Sequence, residues 1–386
     1  MILAAIILVL SGFVLFVTIT NVLLWHKLRP VPSFNDVRPE RTVSVVIPAR
    51  NEERVIKRCV HSVLQQGSIV REVIVYNDQS TDDTAGRVLQ LSQHDARVRL
   101  VNGTPLPRDW YGKPYACHQA AQHAQSPWIL FLDADAMLQP DAVDALVTAA
   151  VDHRCTMLSA WPGFDLVTAA EKTLMPMLNF FVFTIFPAFA ASRLNDQKYG
   201  LAHGACMLFH RETYTKLGGH SMVQKELFED TAIARMWRRN GERSLCLDGQ
   251  DVVRVRMYST LGEIWRGFMK NFYPGFRTQT MFWLFLIFHF SLFFLPFVAA
   301  PFVVDNILGA ALITAAVSVL MDRIVLALRF HEQIRFAFLH PIAQLFVIAL
   351  GIASWWNWSF GPGVRWKDRS YTNDKSAVVP MEGVSK

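Results

Sequence analysis

Cysteine is scarce in this chain, and so is charge. Five cysteines occur in 386 residues: Cys59, Cys117, Cys155, Cys206 and Cys246. They are scattered, odd in number and never spaced as CxxC. That excludes a disulfide framework, fits a reducing compartment, and leaves no ligand cluster for a structural zinc. Charged residues make up 18% of the chain against 52% hydrophobic, which excludes disorder as the main state. The basic surplus is mild, 38 Lys+Arg against 32 Asp+Glu, a net charge of +6. No basic helix or basic–aromatic stripe accompanies it, so nucleic acid is not an expected partner. The surplus suits anionic lipid or a phosphorylated substrate instead. At ~150 residues per domain, the length allows two or three domains.

What the chain has in excess is apolar length, reflected in a mean hydropathy of +0.23. Residues 1–25 carry no charged side chain, enough to cross a ~30 Å hydrocarbon core as a helix. A cleaved signal peptide carries basic residues ahead of its apolar run. Here His26, Lys27 and Arg29 follow it. The expectation is an uncleaved anchor over 1–25 with the next residues cytoplasmic. A second apolar region covers 281–358, broken at Asp305, Asn306, Asp322 and Arg323. It reads as two to three crossings, with Pro296 and Pro341 tolerated inside. Two crossings plus one re-entrant or surface-lying segment keep the basic tail 359–386, with Arg365, Lys367 and Arg369, on the cytoplasmic side. The sequence therefore predicts a multi-pass protein of the cell (inner) membrane. Between the apolar regions, 30–280 has soluble composition. Its stretch 174–191 is uncharged and Phe-rich, but holds Pro176, Asn179 and Pro187. It reads as a buried helix or as a segment lying in the membrane interface.

The soluble region alternates strands and helices. Residues 43–47, 72–76, 98–101 and 128–132 are short β-branched or apolar runs. Between them, 52–66 places Val55, Ile56, Cys59, Val60, Val63 and Leu64 at helical spacing, and 84–93 forms a second helix. This pattern predicts an open α/β sheet, with ligands bound outside the carboxyl ends of its strands. Polar clusters at 48–52, 77–82 and 133–135 fall at such ends. Asp133 and Asp135 flank Ala134, a spacing that can present hard oxygens to Mg²⁺ or Mn²⁺ and through it to a diphosphate. The plain alternative is an acidic surface turn. Asp78 and Asp82 form a similar pair, and Asp82 also fits a helix N-cap. Glu229 and Asp230 sit together, where negative charge also suits a helix start. The run 110–113 reads as a loop that presents Lys113 to phosphate, or as a solvated loop around Trp110.

In order along the chain stand IPARNEE (47–53), NDQSTDDT (77–84), WYGKPYAC (110–117), LDADA (132–136), HGACMLFHRE (203–212), GGH (218–220) and FEDTAIA (228–234). Together they resemble the membrane-bound family 2 glycosyltransferases over about 43–280. The WYGK and GGH elements and the tail GVRWKDRSY (363–371) are similar to the 4,4'-diaponeurosporenoate (carotenoid) glycosyltransferase group and to transferases linked to hopanoid clusters. The resemblance implies an α/β GT-A (Rossmann-like) domain flanked by transmembrane helices, and a nucleotide-sugar donor, most often a UDP-sugar. Pro48, Ala49, Arg50 and Glu52 would line the nucleotide pocket. Asp78 would hold the uracil or ribose, although the family reads DDGS where this chain reads NDQS. Lys113 would face the diphosphate. Asp133 and Asp135 match the DxD motif, with Asp135 the direct ligand of Mg²⁺ or Mn²⁺. Asp230 matches the catalytic base, with Glu229 as substitute. His220 would touch the metal or diphosphate, or serve as a buried structural histidine.

The implied reaction is metal-dependent, inverting transfer of one sugar to a lipid acceptor held in the membrane, such as a carotenoid acid or other polyisoprenoid. Alternatives within the fold are a processive polysaccharide synthase and a polyprenyl-phosphate glycosyltransferase. Processive members carry a Q/RxxRW motif, whereas residues 258–268 read YSTLGEIWRGF. Trp265 and Arg266 there would shape an acceptor tunnel, or belong to an interface helix. A non-catalytic scaffold on a decayed fold is the reading from another class. It sits poorly with the presence of Asp78, Asp133, Asp135, Glu229 and Asp230 together. A transporter would need more spans and more intramembrane charge.

Overall fold

Valine and isoleucine build the first strands. β1 (Val43–Ala49) and β2 (Val70–Asn77) bury nearly every side chain, as strands covered on both faces must. A computed structural model describes the chain except for residues 32–37, 277, 304–305, 362–363, 367–368, 372–377 and 381–386. It divides the chain into two units, residues 26–165 with 190–257, and residues 1–25 with 166–189 and 258–386.

The first unit holds a mixed sheet. Its strands are β1, β2, β3 (Val98–Asn102), β4 (Trp128–Leu132), β6 (Met157–Trp161), β8 (Cys206–His210) and β9 (Ser244–Asp248), in the order β3-β2-β1-β4-β8-β6-β9. β1 runs parallel to β2 and β4, and β2 parallel to β3. β8 runs antiparallel to both β4 and β6. A smaller sheet joins β5 (Ala136–Leu138), β7 (Gly163–Phe164) and β10 (Val253–Val255). The expected strands are present, with β1 reaching past Pro48 to Ala49. The first expected helix is shorter than the amphipathic pattern, Ile56–Leu64. The second matches closely, Thr84–Ser92. All five cysteines are buried and free.

The second unit is helical. Among the described residues, four helices are long and apolar enough to cross a membrane: Ile2–Leu24, Gln279–Phe302, Ile307–Arg329 and Ile334–Phe360. The region 281–358 therefore carries three such helices, where the sequence favoured two crossings and a surface-lying segment. The Phe-rich stretch belongs to this unit up to Phe189. It forms the helix Pro176–Ile185, with Phe180 and Phe183 fully buried. Phe180 packs edge-on to Phe293 at 4.9 Å. Asn21 clamps the end of that helix by donating to the carbonyls of Phe183 and Phe186, both at 2.8 Å. The division into two units cuts within the expected soluble domain, 30–280. Residues 166–189 and 258–280 group with the apolar helices because their aromatic side chains pack there. The tail contributes three short antiparallel strands, β11 (Val364–Trp366), β12 (Arg369–Tyr371) and β13 (Val378–Pro380). Lys367 and most of the rest of the tail lie outside the described residues.

Candidate active site

The candidate residues meet beyond the carboxyl ends of β1, β2 and β4, where an open α/β sheet binds its ligands. After β1, the chain turns through Asn51, whose φ is +53°. After β2 it turns through Gln79, whose φ is +54°. A left-handed glutamine costs ~1 kcal/mol or more. Arg50 holds the two turns together, its Nη1 donating to the carbonyls of Asp78 at 2.7 Å and Gln79 at 3.2 Å. The buried Asp78 donates its N–H to the carbonyl of Ala49 at 2.8 Å. Asn77 donates to Asn102 Oδ1 at 3.0 Å and accepts the N–H of Ser80 at 3.1 Å. Thr84 Oγ1 accepts the N–H of Glu52 at 2.8 Å. Asp82 accepts the N–H groups of Glu53 at 3.1 Å and Thr84 at 3.0 Å, while the N-cap of the following helix is its neighbour Asp83 rather than Asp82. Pro48, Ala49, Arg50, Glu52 and Asp78 are thus neighbours in one rigid corner.

Lys113 sits on a helix, not on the loop the sequence suggested. It is the second residue of Gly112–Ala121, where Pro114 fits a first turn that needs no N–H from it. Its Nζ lies 2.8 Å from Asp133 Oδ1, 3.0 Å from Asp133 Oδ2 and 3.0 Å from Glu229 Oε1. Burial alone would lower the Lys113 pKa, but Asp133 and Glu229 outweigh it and hold the pKa well above the usual lysine value. Asp133 stands at the end of β4, its N–H bonded to the carbonyl of Ala205 at 2.9 Å. Asp135 follows two residues on, just before β5.

Glu229 and Asp230 open the helix Glu229–Arg239, whose positive end favours two acids. Asp230 Oδ2 accepts the N–H of Gly204 at 2.9 Å, and Oδ1 accepts the N–H of Thr231 at 2.6 Å. Burial first, and then the charge of Glu229, push its pKa up to about 7 against the pull of Lys113. Gly204 is a residue the sequence reading passed over, although it lies within HGAC. A Cβ at Gly204 would meet Lys113 Nζ at 2.9 Å, and Asp230 Oδ2 and Glu229 Oε1 at 3.4 Å each. Its missing side chain is what lets these three groups converge.

His220 lies elsewhere in character. It is fully buried, with Nδ1 paired to the Tyr214 hydroxyl at 2.8 Å and the ring edge-on to Phe131 at 4.7 Å. Burial drives its pKa down to about 3. This environment is an aromatic core rather than a cleft wall, because GGH turns the ring inward beneath β4 and β8. Among the described residues, no three His, Cys, Asp or Glu side chains converge as a complete metal cage. Asp133 and Asp135 still offer hard oxygen donors. Four acids, Asp133, Asp135, Glu229 and Asp230, stand on two segments, and one lysine, Lys113, on a third. That donor chemistry and charge excess fit Mg²⁺ or Mn²⁺ whose remaining ligands come from a phosphorylated substrate and water.

An open sheet of this order, with an acidic pair at the end of β4 and a second pair at a helix start, is the GT-A architecture. Residues 44–218 match the family model described as Glycosyl transferase family 2, the family that the ordered motifs of the sequence resemble. It is similar to the 4,4'-diaponeurosporenoate glycosyltransferase of Staphylococcus aureus (strain USA300), 30% identical over 256 residues, 64% of this chain and 66% of the relative. The counterpart from strain MRSA252 matches at the same identity and coverage, 30%, 64% and 66%. The match thus spans just under two thirds of the length of these relatives. Among solved structures, the mannosyltransferase PcManGT from Pyrobaculum calidifontis in complex with GDP-Man and Mn2+ shares the fold. Its TM-score is 0.52 at 19% identity, covering 92% of this chain and 99% of its own.

Proposed function

We propose that the protein transfers a single sugar from a nucleotide-sugar, foremost a UDP-sugar, to an apolar lipid acceptor, inverting the anomeric centre. The observation that carries this reading is the convergence of Lys113, Asp133, Glu229 and Asp230 around Gly204. In it a cation suited to a diphosphate stands beside a carboxylate of raised basicity. The corner of Pro48, Ala49, Arg50, Glu52 and Asp78 holds the nucleoside. Lys113 neutralises the departing diphosphate, exchanging its contact with Asp133 or Glu229 for phosphate oxygens. When bound by Asp135 and Asp133, Mg²⁺ or Mn²⁺ supplies Lewis-acid stabilisation of the same leaving group.

Asp230 takes the proton from the acceptor hydroxyl. A pKa near 7 makes it a stronger base than an ordinary carboxylate. For an acidic acceptor, already ionised at neutral pH, Asp230 orients the oxygen instead. Glu229 raises the basicity of Asp230 by its charge. Single displacement accounts for inversion, since no separate carboxylate is assigned as a nucleophile. His220 packs the core behind β4 and is not assigned to the metal. The name of the relatives and the four apolar helices both support an acceptor that stays in the membrane, a carotenoid acid or other polyisoprenoid. By the positive-inside rule the α/β unit faces the cytoplasm of a multi-pass inner-membrane protein.

The test is nucleotide release. Detergent-purified protein is incubated with UDP-, GDP- and TDP-sugars, with Mn²⁺ or with EDTA, with and without total lipid extract, alongside Asp135→Ala. Metal-dependent release from one donor, stimulated by lipid and lost in the variant, is the expected result. A folded protein that releases no nucleotide from any donor in the presence of lipid overturns the proposal.

A further inference from the structure

His203 has no part in the reaction as proposed, yet its neighbours tie it to the centre of the site. The next residue, Gly204, donates its N–H to Asp230 at 2.9 Å. The one after, Ala205, accepts the N–H of Asp133 at 2.9 Å. The backbone of His203 is pinned by one hydroxyl. Ser159 Oγ donates to its carbonyl at 3.0 Å and accepts its N–H at 2.8 Å. The ring is fixed as well, because Nδ1 accepts the N–H of Ala205 at 3.2 Å.

That last contact determines the tautomer. A backbone N–H can only donate, so Nδ1 is bare and the proton of the neutral ring sits on Nε2. Burial, and secondarily the charge of Lys113, push the ring's pKa down to about 3, so it stays neutral at working pH. Nε2–H makes no hydrogen bond among the described residues, and it is not sealed inside the protein. Around it the wall is aromatic. Trp161 stands edge-on at 5.0 Å and Phe164 lies at 6.3 Å. A donor that opens toward solvent in such a wall is one that a ligand oxygen can meet in place of water.

We infer that His203 Nε2–H donates to the acceptor oxygen and holds it against Asp230, with Trp161 and Phe164 flanking the apolar body of the acceptor. This rests on the transferase reading above. A base must lie within hydrogen-bond reach of the oxygen it deprotonates, and His203 adjoins the residue that holds that base. The diphosphate side of the site calls for positive charge, which a neutral ring does not supply. A neutral donor serves hydroxyl and carboxylate oxygens alike, so either acidic or alcoholic apolar acceptors qualify.

The test separates donor from acceptor kinetics in the full-length protein, with graded total lipid extract as the acceptor source. His203→Asn keeps an oxygen to accept from Ala205 but removes the distal N–H. His203→Gln restores an N–H near the position of Nε2. The asparagine variant should raise half-saturating lipid by about tenfold, with donor KM and lipid-free donor hydrolysis within about twofold. The glutamine variant should recover most of the loss. Unchanged half-saturation in His203→Asn overturns the inference, as does a rise in donor KM. Should His203→Asn fail to fold, ¹⁵N-histidine NMR of the unaltered protein decides. Lipid should move the Nε2 resonance and the donor alone should not; the reverse overturns the inference. An unaltered protein that releases no nucleotide removes the transferase reading and this inference together. An active unaltered protein with an indistinguishable His203→Asn removes only the inference.

Discussion

Lys113 and Glu229, at the first turns of two different helices, meet at 3.0 Å. The lysine also holds both carboxylate oxygens of Asp133, so a single cation ties together the DxD segment, the WYGK helix and the ED helix. Lys113→Met would leave Asp133 and Glu229 facing each other without their shared cation. The expected outcome is a loss of at least ~100-fold in transfer. A drop of ~1–3 kcal/mol in unfolding free energy should accompany it. Chemical denaturation beside nucleotide-release assays checks both.

Asp230 makes the reaction and the stability respond to pH in opposite directions. As the base, it must be ionised, so kcat/KM should rise with pH and level off above about 7. Its folded pKa is raised above the unfolded value of 3.8, so its contribution to stability is present below about pH 4 and lost as pH rises through about 7. Asp230→Asn should therefore flatten that decline in stability while lowering transfer by ~10²–10⁴-fold. Thermal melts at acidic and alkaline pH for both proteins, with a pH–rate profile, provide the check. A profile that falls with rising pH between about 5 and 9 (a range set by ~2 units around the folded pKa of about 7) would remove Asp230 as the base.

Gly204→Ala tests the close approach. The added Cβ would lie 2.9 Å from Lys113 Nζ, and the lysine end can move where the backbone cannot. Stability should fall by no more than ~1–3 kcal/mol. Transfer should fall by ~10-fold or more, because small misplacements of positioned groups are costly to rate. Equal transfer rates in variant and unaltered protein would show that Lys113 need not hold its present place.

Arg238 offers a contrast in which stability changes and chemistry does not. It is 5% exposed, and its guanidinium donates to the carbonyls of Ala191 at 2.9 Å, Leu194 at 2.8 Å and Ser244 at 2.7 Å. Arg238→Met should cost ~3–5 kcal/mol by leaving those carbonyls unmet. Donor KM should stay within about twofold for the fraction that remains folded. Urea titration followed by kinetics on the folded protein checks both statements.

Much of the site was legible in the sequence because each motif ends a strand or opens a helix. β1, β2 and β4 declare themselves by β-branched and apolar runs, and the polar residues that follow must lie at their carboxyl ends. The DxD and ED pairs were found by type and spacing. The position of Lys113 was misread, because WYGKP looks like a loop until tertiary contacts continue it as the helix Gly112–Ala121. Gly204 carried no signal of its own, since a glycine is marked out only by what surrounds it. His220 stood open between a ligand and a buried structural histidine, because histidine beside a glycine turn can face either way, and only tertiary structure packs its ring against Phe131 and Tyr214.

The sequence by itself determined the class of fold, the strands on the nucleotide side, the acidic pairs and the presence of long apolar helices, all properties of local pattern and composition. Tertiary structure decided what depends on distant partners. It put β8 antiparallel between β4 and β6, drew 166–189 into the helical unit, and gave Lys113 to Asp133 and Glu229 together. It also left His203 with a fixed tautomer. The physical reason is range: periodicity and turn chemistry act over a few residues, whereas burial, charge pairing and close approach at a missing side chain arise only when segments 20 to 120 residues apart (Lys113 to Asp133 and Lys113 to Glu229, in round figures) are packed against one another.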